Sequence, residues 1–374
     1  MNNSTNGINK PKRLLNVEIL RVLSMFMIVC NHFLGHGLSL QDYDLNDGNR
    51  FILWFLRGIC YMGTNLFILI SAYFQCKSRF KAKSILLLLC QVLFYSIALY
   101  GVSVAFGLAE FSYSGLVKVL FPVLTSSYWF VTCYVGLYIL APFINKFIQS
   151  LGKGQLKKLI LILFVFFSVV PNVFFNSSWL NWGGSSGIVW FIFLYFVAAY
   201  IRLYVDISRI SMRKLFPLLI LFMLLPLLSK IIIANLSLYF TGNIIGSSIF
   251  FVKNSIIIFP MSVLLFLAFM KINISGKVSE KIIPFFASSI FAVYLISENI
   301  YLREHLWSFC TRMLGGNSTL VPLYVIVIPV AVLLACIFID QIRKCFFSLC
   351  GKTGLPQRLE ALISTYTNKI YTDL

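Results

Sequence analysis

The chain has 374 residues, of which 59% are hydrophobic and only 11% charged, with a mean hydropathy of +0.89 and a formal charge of +19. A soluble domain draws roughly a quarter of its residues from Asp, Glu, Lys and Arg, so this composition excludes a water-soluble globule and makes lipid the solvent for most of the chain. The positive charge does not mark a nucleic-acid surface, because the basic residues fall in short loops between long apolar runs.

Residues 1–13 are polar and basic, and the apolar stretch after them has no small-x-small exit, so the expectation is a retained first helix rather than a cleaved signal. Apolar runs long enough to cross the hydrocarbon follow at about 14–34, 51–74, 84–107, 127–147, 158–176, 188–205, 215–235, 247–270, 282–302 and 321–341. The fold expected is therefore an all-α, polytopic transmembrane helix bundle of about ten spans. Breaks between the runs include Asn181 to Gly187 and the cluster Gly315-Gly316-Asn317-Ser318. The domain plan is a polar segment at 1–13, a membrane domain at 14–345 and a tail at 346–374. Leu359, Leu362, Ile363, Tyr366 and Ile370 give that tail the spacing of a short helix lying on the membrane surface.

Orientation follows from the loops. Lys10, Lys12 and Arg13 share a side with Lys77, Arg79, Lys81 and Lys83, then with Lys146, Lys153, Lys157 and Lys158. Arg202, Arg209, Arg213, Lys214, Lys271, Lys277 and Lys281 continue the series, and Arg343, Lys344, Lys352, Arg358 and Lys369 end it. These 23 of the 31 basic residues make that side cytoplasmic and place both termini there. The first opposite loop carries Asp42, Asp44 and Asp47 instead.

Cysteines offer no framework: Cys30, Cys60, Cys90, Cys133 and Cys336 lie in apolar runs, and Cys345 and Cys350 lie in a basic tail. With no CxxC pair, no HExxH and only His36 one turn beyond His32, no metal site is expected. A WFxxxY pattern occurs twice, at Trp129-Phe130…Tyr134 and Trp190-Phe191…Tyr195, and is read as interface anchoring or chance.

Ionisable side chains within spans are costly unless paired or hydrated, so they are the informative residues. On the first helix Glu18 and Arg21 are three apart and can pair. Arg21 and His32 share one face, separated by roughly 16 Å along the axis, so one cavity could hold both. Glu298, with Ser297, Asn299, Arg303, Glu304 and His305 around it, ends the ninth run. The first and ninth helices run in the same direction, which puts His32 and Glu298 near the same membrane face.

The run Asn16-Val17-Glu18-Ile19-Leu20-Arg21 through Asn31-His32 resembles the first helix, with its Arg-x10-His motif, of acyltransferase family 3, a family of integral membrane acyltransferases. Gly63-Thr64-Asn65-Leu66-Phe67 through Ser71-Ala72-Tyr73 is similar to that family's second segment, with Ala72 where Gly is usual. Tyr128-Trp129-Phe130…Pro142 and Tyr294-Leu295-Ile296-Ser297-Glu298-Asn299 continue the likeness, although Ser297 stands where many relatives have His. The resemblance implies transfer of an acyl group, most often acetyl from acetyl-CoA, to a hydroxyl of a surface polysaccharide or its lipid-linked precursor. It implies His32 as base or transient acyl carrier, Glu298 as its orienting carboxylate and Arg21 as a donor-phosphate or structural residue. Arg79, Lys81 and Lys83 would meet the phosphates of acyl-CoA, the location would be a bacterial plasma membrane, and the partners would include membrane lipids but no nucleic acid. The alternative is a transporter or flippase of a lipid-linked glycan, a class that also uses intramembrane Arg, Glu and His.

Overall fold

The computed structural model describes residues 14–38, 40, 48–174, 184–314 and 320–350. These residues form helices and connecting turns. The helices are α1 (Leu15–His32), α2 (Gly48–Cys60), α3 (Met62–Gln75), α4 (Ala82–Ala105), α5 (Tyr113–Leu120), α6 (Trp129–Ser150), α7 (Lys153–Phe164) and α8 (Val170–Val173). The second half adds α9 (Ile188–Tyr204), α10 (Met212–Thr241), α11 (Ile258–Lys271), α12 (Ser279–Ala287), α13 (Ile290–Ser297), α14 (Arg303–Arg312) and α15 (Val321–Cys350).

Eight helical stretches are long and apolar enough to cross a membrane, with α2–α3, α7–α8 and α12–α13 each making one stretch. Two shorter apolar helices, α9 and α11, occupy the other two expected positions. The chain is a membrane protein built as a polytopic helical bundle. Backbone N–H and C=O groups satisfied within each helix are what the hydrocarbon demands.

Burial sorts the spans into two shells. The windows of α1 and α2–α3 are 61% and 67% buried, whereas those of α4, α7–α8 and α10 are 22%, 17% and 17% buried. The outer helices point Leu, Ile and Phe at lipid, as an apolar helix with little polar surface should. The inner helices pack through small residues. A Cβ added to Gly63 of α3 would lie 2.7 Å from the Ser24 carbonyl oxygen and 2.9 Å from Ile28 Cγ1 on α1, so glycine sets that approach. α1 also packs on α12, α13 and α15, and α3 on α9 and α11.

One expected span departs from the helix drawn for it. The apolar run at 247–270 becomes helical only at Ile258, and residues 246–257 pass through the protein as turns. Ser247, Ser248, Lys253, Asn254 and Ser255 make this stretch polar, and its backbone is held by protein rather than by lipid. Asn65 Nδ2 donates to the Lys253 carbonyl at 2.8 Å, and Ser255 Oγ accepts from the Ile257 and Ile258 amides, capping α11. Asn254 Nδ2 donates to the Phe167 carbonyl at 2.8 Å. Irregular backbone at such depth is tolerated where protein surrounds it.

Of the two readings of WFxxxY, interface anchoring or chance, anchoring does not hold for the second copy. Trp190, Phe191 and Tyr195 are buried, and Trp190 Nε1 donates to Asn65 Oδ1 at 3.0 Å, so these rings pack the interior. α15 extends to Cys350, and its membrane-spanning stretch ends at Cys345. The surface helix expected at 355–374, the acidic residues Asp42, Asp44 and Asp47, and the Gly315–Ser318 break lie outside the described residues.

Candidate functional site

α1 ends in a π-helical turn, Phe33–Gly37, directly after His32. The wider turn keeps His36 close to His32, and the two ring centroids are 6.0 Å apart. Wide turns of this kind cost regular hydrogen bonding and recur at functional sites. Both imidazoles face Glu298, which caps the C-terminus of α13.

Glu298 Oε1 lies 3.1 Å from His32 Nδ1 and 3.4 Å from His36 Nε2, and Oε2 lies 3.7 Å from an Arg303 guanidinium nitrogen. His32 Nδ1 and Glu298 Oε1 are nevertheless without a well-directed hydrogen bond, so their approach is close but off-line. The carboxylate is placed from behind by the turn that follows α13. Tyr128 hydroxyl donates to the Leu295 carbonyl at 3.1 Å and accepts from Asn299 Nδ2 at 2.8 Å, while Asn299 Oδ1 accepts from the Tyr301 amide. Tyr128 and Asn299 thus fix the backbone on both sides of Glu298.

His32, His36, Glu298 and Arg303 line a cavity of about 280 Å³ together with Asn31, Tyr294 and Lys253. Its polar lining is short of partners within the protein: Asn31 Oδ1, Tyr294 hydroxyl and Arg303 Nε are buried without one. Such groups are costly to bury unless water or a ligand completes them. Lys253 enters from the irregular 246–257 segment, donates to Ser186 Oγ at 2.7 Å and stands 4.1 Å from the centroid of the Trp129 ring. Sequence reading missed Lys253 because it drew a helix through this segment. A cation inside an apolar run was the available signal.

Arg21 faces a different cavity. It pairs with Glu18 at 3.1 Å, as their spacing requires, and lines a space of about 360 Å³ with Ser71, Ser84, Gln91, Tyr134 and Ser288. Phe67, Phe130 and Phe291 line both cavities, so an aromatic partition separates the Arg21 space from the His32 space. Phe130 packs edge-on against Phe67 with ring centroids 5.9 Å apart. Thus Arg21 and His32 lie on one helix but in two chambers that share a wall.

Arg79 and Lys81 are exposed in the turn between α3 and α4, and Lys83 is exposed in the first turn of α4; none lines the Arg21 chamber, although Ser84 does. Tyr138 hydroxyl donates to the Lys81 carbonyl at 3.1 Å and fixes that turn. Ser297 is fully buried, its hydroxyl has no partner, and it does not line the His32 cavity.

A family model described as an acyltransferase domain matches residues 14–340. No curated protein and no solved structure matches the chain.

Proposed function

Since the chain belongs to this acyltransferase family, we propose that it is a membrane O-acyltransferase that moves an acyl group, acetyl in the first instance, from acyl-CoA to a hydroxyl of an envelope polysaccharide or its lipid-linked precursor. The observation that carries the reading is the buried Glu298 carboxylate 3.1 Å from His32 Nδ1, in a cavity that abuts the Arg21 chamber.

Transfer from a thioester to an alcohol needs a base for the alcohol proton and stabilisation of the oxyanion that forms on the carbonyl. With Nδ1 turned to Glu298, His32 has Nε2 free to take that proton, and the carboxylate stabilises the imidazolium that results. The hydroxyl oxygen attacks the thioester carbon to give a tetrahedral oxyanion. Collapse breaks the C–S bond, and the imidazolium returns its proton to the CoA sulfur. Tyr294 hydroxyl and the Lys253 ammonium line the same cavity and are the donors available to the oxyanion.

The thioester reaches this chamber in our reading from the Arg21 side, past the phenylalanine partition. The pantetheine arm is the slender part of the donor, which leaves the nucleotide at the membrane face near Arg79, Lys81 and Lys83. The acceptor hydroxyl comes from the opposite side.

Deleting the gene and analysing the envelope glycan tests the assignment. Loss of ester-linked acyl groups with the polymer amount unchanged is expected. Loss of the polymer itself would point instead to a flippase or polymerase.

A further inference from the structure

Beside the His32 cavity the protein buries two cations that no described carboxylate neutralises. Arg57 of α2 is 9% exposed and Lys230 of α10 is 5% exposed. Among the described residues neither forms an ion pair. Both gather on one indole: Lys230 Nζ stands 3.7 Å, and the Arg57 guanidinium carbon 5.4 Å, from the Trp54 ring centroid. Arg50, buried on the same helix, has a partner of its own and is not counted.

Hydrogen bonding there is also one-sided. Lys230 donates to Ser248 Oγ at 2.9 Å and to Ser247 Oγ at 3.2 Å, which leaves one ammonium proton unused. Arg57 Nε and Trp54 Nε1 are buried with no acceptor at all. Ring faces soften the cost of burying the cations but accept none of these protons in line. Two like charges held together out of water, with three donors unfilled, call for an anion rich in oxygen. A phosphate meets both needs, because it carries the charge and more than two acceptor oxygens, and guanidinium is its usual partner.

We propose that Arg57, Lys230 and Trp54 form a phosphate-binding site adjoining the His32 cavity, occupied by free phosphate or by the phosphate ester of a lipid-linked molecule. Adjacency is direct. The Arg57 guanidinium lies 6.0 Å from the centroid of Tyr61, and Tyr61 lines the His32 cavity. A β-carbon on Gly35, in the π-helical turn beside His36, would come within 3.9 Å of an Arg57 guanidinium nitrogen. A phosphate bound there sits beside the proposed acyl-transfer centre, held by α2 and α10, with Ser247 and Ser248 of the segment that also carries Lys253 behind Lys230. That the phosphate belongs to the acyl acceptor rests on the acyl-transfer reading, whereas phosphate binding does not.

The test is a thermal-shift titration of the full-length, detergent-solubilised protein carrying His32→Ala, so that no turnover is read. One arm adds inorganic phosphate and the other a polyprenyl monophosphate, each against the matching sulfate-free buffer and the corresponding polyprenyl alcohol. Ligand that binds only the folded state raises Tm. The site predicts a phosphate-dependent rise that falls at least about tenfold in apparent affinity in Lys230→Met and in Trp54→Phe, with Arg57→Gln as a third variant. A response in the polyprenyl arm alone assigns a lipid-borne phosphate, and a response in both arms assigns the phosphate group itself. No rise in either arm, or equal rises in the folded variants, overturns the site. If acyl transfer fails for this protein while the phosphate response stands, only the acceptor assignment is lost.

Discussion

His32 and Glu298 meet across the ends of α1 and α13, which point the same way, with Nδ1 and Oε1 3.1 Å apart. The pair is not isolated, since His36 approaches the same carboxylate oxygen at 3.4 Å. One buried carboxylate therefore faces two imidazoles, and only His32 is the more enclosed of the two, with a side chain 14% exposed against 38% for His36. The consequence for activity is asymmetric. Glu298→Gln keeps the shape but removes the charge that stabilises the imidazolium. The comparable change in a Ser-His-Asp triad costs about 10⁴ in kcat, so a fall of at least about 10² is expected here. His36→Asn is expected to cost less than about tenfold, because it leaves the His32–Glu298 contact in place. Single-turnover rates of acyl transfer by the two purified variants check both statements.

The turn behind Glu298 gives a second prediction. Tyr128→Phe removes a hydroxyl that serves both the Leu295 carbonyl and Asn299 Nδ2. Leaving buried groups unpaired costs about 1–3 kcal/mol. Thermal unfolding in detergent should show that loss, and acyl transfer should fall with it because the carboxylate loses its backing. Wild-type stability with wild-type activity would mean that the turn is held by something else.

At the opposite end of the bundle, Asp340 of α15 is fully buried, accepting from Tyr95 hydroxyl at 2.8 Å and from Arg343 Nε at 2.7 Å. The Lys344 ammonium stands 3.2 Å from its other oxygen. Asp340→Asn is expected to lower stability by about 1.5–3 kcal/mol, the range for hydrogen bonds to charged groups, rather than more, because Arg343 and Lys344 keep some access to water. Urea or thermal unfolding of the variant measures it, with transfer activity in the surviving folded fraction unchanged.

Gly63 supplies a packing prediction. A methyl group there meets the Ser24 carbonyl oxygen at 2.7 Å, an atom of helix backbone that cannot rotate away. Gly63→Ala should therefore part α1 from α3 and cost about 1–3 kcal/mol. α1 carries His32 and α3 carries Thr64 and Phe67 of the same cavity wall, so activity should fall more than stability alone explains.

Much of this was readable from the residues. The Glu18–Arg21 pair followed from a spacing of three, and the meeting of His32 with Glu298 followed from counting spans, since both lie at the same end of helices running the same way. Eight of the ten apolar runs fall on helical stretches long enough to cross the hydrocarbon, and the other two fall on the shorter apolar helices α9 and α11. What escaped was set by local backbone and by tertiary contact. Lys253 was hidden by the single span drawn at 247–270, whose first part, up to Ile257, is turns held by Asn65 and neighbouring side chains. His36 gains its place at Glu298 from a π-helical turn that sequence spacing does not announce. The partition of Phe67, Phe130 and Phe291 joins three distant segments, and nothing in an aromatic-rich chain singles those three rings out. Arg21 and His32 share a helix face, which allowed for one cavity holding both, and the rings divide that space in two.

The account depends on one imidazole between a thioester arriving past that partition and an alcohol arriving from the other side. The most direct measurement is transfer of labelled acetyl from acetyl-CoA to a glycan acceptor by His32→Ala in proteoliposomes, beside wild type and Glu298→Gln. The account predicts that His32→Ala loses at least about 10² in rate while the protein remains folded. Acetyl transfer by folded His32→Ala at the wild-type rate would contradict it.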